Sequence, residues 1–278
     1  MAGDALAGGS GGAASYTVTN CNDSGTSYQT TEYEYMGYGV GGAYNPLKFV
    51  CASSAYARGA TGDGIKVAVL DSGILSGNSS TNTTHSDLGQ VVNFTTNSNA
   101  VNTNSVPKDG LGHGTHVAGI IAATKNNTQM HGIAYEADLY IFKVINDSDN
   151  SSTTILKNGM QRAIAAGVDI MNNSYHWCDN GGGAYCGTNK YVNTSACNSA
   201  ATCETTIGSA FYTQIEAAGA AGIINVWAAG NEGNAEPSAV SGSAIYDDDF
   251  KETTVIVVAT DTYVNYGGGN KIASYSNK

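Results

Sequence analysis

Short apolar runs that alternate with stretches of helical spacing constrain this chain most. IKVAVL (65–70), ADLYIFKVI (137–145), VDIMNNS (168–174), IINVWAAGN (223–231) and TVIVVAT (254–260) each have strand character. Their apolar residues are nearly continuous, as in strands covered on both faces. SSAYARGA (53–60) before the first, and HGTHVAGIIAAT (113–124), TTILKNGMQRAIAAG (153–167) and SAFYTQIEAAGAAG (209–222) between them, read as helices. Gly167 closes the third. Strand and helix in alternation predict an α/β fold: a mostly parallel, doubly wound sheet with helices on both faces. Such sheets gather functional groups at the carboxyl ends of their strands.

Residues 1–52 lack this rhythm and read as an irregular Gly/Tyr/Asn-rich extension, so the folded domain is expected over 53–278. Within it, 176–205 carries four cysteines and reads as a disulfide-stapled surface loop. ETTVIVVAT (252–260) reads as a buried strand, and the closing IASYSNK (272–278) has no tail-like composition. The C-terminal part of the domain is therefore expected to lie beyond this sequence.

The net charge of -11, with only 12 Lys and Arg, argues against nucleic acid or an anionic membrane surface as partner. No apolar run approaches the length of a transmembrane helix. Residues 1–15 have neither the basic start nor the apolar centre of a signal peptide. The six cysteines contain no CxxC pair, which favours disulfides in an oxidising compartment over a zinc site. Pairing by sequence neighbourhood gives Cys21–Cys51, Cys178–Cys186 and Cys197–Cys203.

Three polar residues sit at informative places. Asp71 follows a buried strand, His113 opens a helix after the turn-like DGLG (109–112), and Asn231 follows a strand and the small residues Ala228, Ala229 and Gly230. Singly, Asp71 reads as a turn or cap and Asn231 as a turn residue. His113 and His116 lack the acid and spacing of HExxH. Together they suit acyl transfer, which needs a base, a carboxylate that orients it and a donor for the oxyanion. No serine lies on a GxSxG elbow. DSGILSG after the first strand is not GxGxxG, so a dinucleotide-binding reading fails.

VAVLDSGI (67–74), HGTHVAGIIAA (113–123) and WAAGNEG (227–233) resemble the Asp, His and oxyanion-Asn motifs of the subtilisin-like serine proteases. HSDL (85–88), GIAYEADLYIFKV (132–144), DIMNNS (169–174) and IASYSN (272–277) are similar to further segments of that family, in the same order. ARGATGDGIKVAVLDSGI (57–74) is also similar to exported subtilases of Gram-negative autotransporters. The resemblance implies a subtilisin-like sheet and a secreted endopeptidase acting on protein or peptide substrates through a serine acyl-enzyme. It implies Asp71 as the residue that orients the imidazole, His113 as general base and then acid, and Asn231 as oxyanion donor. Ser174 and Tyr175 would lie on the strand that pairs with substrate. Ala229 and Gly230 would line the same site, and the loop NDSDNSS (146–152) would border it. The chemistry requires no cofactor. A structural calcium is allowed by the family habit, although no acidic loop here matches an EF-hand.

Two departures qualify the resemblance. No GTSMA-like serine motif occurs in the 278 residues, and the cysteine-bearing insert follows the substrate strand. The nucleophile is therefore expected on a second chain or on a segment beyond Lys278. The alternative is a non-catalytic binding or adhesion module on the same scaffold.

Overall fold

The computed structural model describes residues 16–19, 27–30, 50, 52–56, 58–78, 83–89, 91–93, 99–126, 131–178, 181–183, 196–261 and 271–278. The strands β1 (Tyr16–Thr19) and β2 (Ser27–Thr30) form an antiparallel hairpin. The first 52 residues are thus not wholly irregular: YTVT and SYQT alternate in the way two short paired strands require. Helix α1 (Ala52–Tyr56) leads to β3 (Lys66–Asp71), the short pair β4 (Ser76–Asn78) and β5 (Thr83–Thr84), and β6 (Val91–Asn93). Then come α2 (His113–Ala122), β7 (Asp138–Lys143), α3 (Thr153–Ala165) and β8 (Ile170–Asn173). The hairpin of β9 (His176–Cys178) and β10 (Gly181–Gly183) precedes α4 (Ala200–Ile207), α5 (Ser209–Ala220) and β11 (Ile224–Ala228). The chain continues through α6 (Ala239–Gly242) and β12 (Thr254–Val257) to the antiparallel pair β13 (Thr260–Asp261) and β14 (Lys271–Ile272).

Six strands form one sheet in the order β12-β11-β8-β3-β7-β6, and every pairing is parallel. The chain winds from the central β3 to one edge, then returns through α3 to build the other side. That reversal beside β3 is where a doubly wound sheet opens a crevice.

The alternation along β3 divides the core. Val67 and Val69 pack with Ala118, Ala122, Leu139 and Ile141 on the α2 side. Ala68 and Leu70 pack with Leu156, Met160, Phe211, Ile215 and Trp227 on the other. Helices therefore cover both faces of the central strands. Ser152 caps α3 by accepting from Ile155 N, and Gly167, at φ 65°, makes the left-handed exit.

Register brings the site residues level. Val69 lies opposite Asn172, and Asn172 opposite Val226. Two residues further on, Asp71, Ser174 and Ala228 reach the same carboxyl edge. Helix α2 comes close to that edge because its buried stripe is small: Gly114, Ala118 and Ala122. A Cβ on Gly114 would stand 2.4 Å from the Gly73 carbonyl oxygen, and Gly73 itself holds φ at +108°.

Two further expectations are corrected. The part of the 176–205 insert after 195 is not a surface loop. Cys197 and Cys203 form a disulfide and are fully buried among Ile207, Phe211 and Trp227, and α4 starts from a capping box at Ser199. The disulfide packs inward because α4 lies against α5 and supplies Cys203 and Ile207 to the core. The other two expected pairs fall outside the described side chains. Strand β12 is also not buried on both faces. It is an edge strand with Val255 and Val257 about half exposed, since no described segment covers that face.

Candidate active site

Asp71 is the last residue of β3 and has no solvent exposure. His113, the first residue of α2, places Nδ1 2.7 Å from Asp71 Oδ1 while its ring stays 38% exposed. The arrangement is a buried carboxylate holding an imidazole whose other nitrogen is free to face a reactant. The Asp71 hydrogen bond raises the His113 pKa above 6.5. Burial opposes it, and the charges of Asp71, Asp149 and Asp109 add to it. With Nδ1 donating to the carboxylate, the neutral ring carries its lone pair on Nε2, the tautomer a general base needs.

Asp109 holds this start of α2 in place. Its Oδ1 accepts from Ser72 Oγ (2.8 Å), Leu111 N (3.0 Å) and Gly112 N (2.7 Å), and its Oδ2 from Thr115 N (2.9 Å) and Thr115 Oγ1 (2.5 Å). Ser72 Oγ in turn accepts from Gly114 N at 2.8 Å, and Ser72 N donates to Asp71 Oδ1 at 2.7 Å. One carboxylate thereby ties β3 to the helix that carries His113. Lys143, nearly buried at the end of β7, donates to the Ser72 carbonyl and, at 2.7 Å, to Asp147. Asp147 also accepts from Gly110 N at 3.1 Å, and the lysine hydrogen bond pulls its pKa down.

Ser174, Ala229, Gly230 and Asn231 surround one cavity of about 230 Å³, shared with Asn172, Ala259 and Ser276. Asn172 Nδ2 donates to Ser174 Oγ at 2.8 Å. The Tyr175 ring turns away into the core, packs edge-on against Trp227, and donates its hydroxyl to Asn173 Oδ1. Burial, with the charge of Asp71 in support, pushes its pKa far upward. Only the main chain of Tyr175 is left for a partner. In the loop 146–152, Asn146 Oδ1 accepts from Ser148 N and Asn150 N, and Asp149 adopts φ 58° within electrostatic reach of His113.

The structure therefore joins Asp71 to His113 in one pair and gathers Ser174, Ala229, Gly230 and Asn231 around one cavity. An oriented base can deprotonate a nucleophile, and an amide side chain at the same edge of the sheet can receive a developing oxyanion. Sequence reading passed over Asp109, Lys143 and Glu232. For Asp109 a signal existed: an Asp two residues before LGH offers the side-chain turn that captures following amides. Among the described residues, no group of three or more His, Cys, Asp or Glu gathers as a metal site, so no residue is assigned to calcium. Nor is any described helix long and apolar enough to cross a membrane.

The sequence profile of the subtilase family matches residues 62–278. Subtilisin Savinase of Lederbergia lenta is 40% identical over 123 residues, covering 44% of this chain and 41% of that protein. Minor extracellular protease Epr of Bacillus subtilis (strain 168) is 34% identical over 157 residues, 55% of this chain and 22% of that protein. Subtilisin E of the same organism is 31% identical over 192 residues, 69% of this chain and 40% of that protein. The chain thus spans well under half the length of these relatives.

Proposed function

The chain belongs to the subtilase family, and from that premise we propose that it forms the base-bearing part of a secreted serine endopeptidase. The observation that carries this reading is the 2.7 Å contact of buried Asp71 with the partly exposed His113, at the same carboxyl edge of the sheet as the cavity bordered by Asn231. Asp71 holds the imidazole in its Nδ1–H tautomer and stabilises the imidazolium. His113 takes the proton of a serine hydroxyl as the oxygen attacks the peptide carbonyl, then returns it to the leaving amine. Asn231 donates its side-chain amide to the tetrahedral oxyanion. Main-chain groups of Ser174 and Tyr175 pair with an extended substrate on one side of the cavity, and Ala229 and Gly230 line the other.

The nucleophilic serine is supplied by a segment outside these residues, on the same polypeptide or on a second one. Support comes from the face of β11 and β12 that bears Ile224, Val255 and Val257, each 42–50% exposed. Three apolar side chains in a row on a parallel sheet are the surface a further helix covers. Secretion is supported by the Cys197–Cys203 disulfide and by the extracellular relative.

The test is labelling of the full-length protein with a fluorophosphonate probe, resolved on a denaturing gel. Native protein is expected to label, and His113→Ala to lose the label. Absence of label on folded native protein overturns the proposal.

A further inference from the structure

Glu232 is a joint between three segments. Its Oε2 accepts from Asn231 N (2.9 Å) and from Asn277 Nδ2 (3.1 Å), while its Oε1 lies 3.3 Å from His176 Nδ1. Asn277 grips the same loop again: Nδ2 donates to the Ala229 carbonyl (3.0 Å), N to the Gly230 carbonyl (3.1 Å), and Oδ1 accepts from Asn234 N (2.8 Å). The loop 229–234 is thus held by Asn277 and by Glu232, and Glu232 is held in turn by His176. That histidine is 2% exposed and lies on β9, two residues after Ser174. The Glu232 side chain is 24% exposed, so the link runs from the buried strand to the rim of the cavity.

We propose that His176 is a positioning residue: through Glu232 it fixes the peptide plane at Asn231, and so aims that residue's side-chain amide at the oxyanion position. The inference rests on the reading of Asn231 as oxyanion donor. It adds a coupling between the substrate-side strand and the donor, because β9 continues the segment that begins at Ser174.

The chemistry of the contact follows from burial. Loss of solvation lowers the His176 pKa below 6.5, against the opposing pull of Glu232 and Asp149. Helix α6, packed on β9, and the paired β10 contribute no titratable side chain, being Ala239–Gly242 and Gly181–Gly183. In the neutral tautomer that carries its proton on Nδ1, that N–H faces Glu232 Oε1 across 3.3 Å. When pH falls through the lowered pKa, the ring gains a charge beside the carboxylate, and the Asn231 N–H bonded to that carboxylate must sense it.

The deciding experiment follows His176 and the Asn231 backbone amide by NMR in the full-length protein, from about pH 8 to about pH 5, with Glu232→Gln and His176→Asn alongside. The Asn231 amide is expected to shift with the His176 titration. That step disappears in His176→Asn, whose amide donor takes the place of Nδ1. In Glu232→Gln the ring still titrates but the Asn231 amide no longer follows. An Asn231 amide that ignores the His176 titration, or that moves unchanged in either variant, overturns the proposal. These readouts need no nucleophile, so they stand apart from the fluorophosphonate test. In turnover, His176→Ala is expected to lower kcat about tenfold at nearly constant KM, with His176→Asn recovering most of it. A loss confined to KM overturns the link to the oxyanion.

Discussion

Replacing Asp109 tests whether one side chain holds the start of α2 against β3. Its carboxylate is 5% exposed and accepts from three main-chain amides and two hydroxyls. A hydrogen bond to a charged group contributes about 1.5–3 kcal/mol, and a buried donor left without a partner loses a comparable amount. In Asp109→Ala the hydroxyls of Ser72 and Thr115 can rotate to other acceptors, and water reaches the half-buried amides of Leu111 and Gly112. The buried Thr115 amide has neither escape. The sum is a loss of about 3–5 kcal/mol rather than the full total of five bonds. Asp109→Asn keeps one acceptor oxygen but turns an NH₂ toward N–H donors, and is expected to lose about 2 kcal/mol. Urea unfolding at constant m-value measures both, and serine-probe labelling of the full-length protein reports whether His113 stays in place. A loss under about 1 kcal/mol in Asp109→Ala would mean that the hub does not hold the helix, and would refute the reasoning.

Asp71→Asn removes the largest cause that raises the His113 pKa, so the histidine titration followed by NMR is expected to move down. Turnover should fall about 10⁴-fold, a magnitude known for subtilisin and chymotrypsin rather than worked from this chain. The raised pKa also fixes two signs. The base works only when neutral, so the acid limb of kcat/KM lies above pH 6.5. The stabilisation from the Asp71–His113 pair is fully present below the unfolded pKa and lost as pH rises through the folded one, which unfolding curves on either side of neutrality will register. Gly114→Ala drives a methyl to 2.4 Å from the Gly73 carbonyl and 3.1 Å from Asp71 Cβ, and should destabilise by about 1–3 kcal/mol in a thermal melt while disturbing the pair itself. Asn231→Ala should lower kcat by about 10²–10³ with KM little changed, the loss known for subtilisin itself, and steady-state kinetics decides it.

The strands and helices of the central sheet were legible because their signals are local. IKVAVL, ADLYIFKVI and IINVWAAGN carry their burial in composition, and Gly167 marks a helix end by its own backbone preference. Asp71, His113 and Asn231 stood out for the same reason: each follows or opens an element whose periodicity points to it. The even spacing of Val255 and Val257 could not reveal that β12 is an edge, since an apolar run reads alike whether or not a neighbour covers it. Nor did the cysteines show that Cys197 and Cys203 turn into the core, because pairing restricts distance but not the side on which a helix packs. The sequence by itself determined the kinds of elements, their order and the polar residues at their ends. Only the tertiary structure decided which of those residues meet. Asp109 gathers donors from 72 to 115, and Glu232 joins His176 to Asn277, through contacts between segments far apart in the chain. A hydrogen bond of about 3 Å depends on where two backbones are placed, and no residue type or local period encodes that placement.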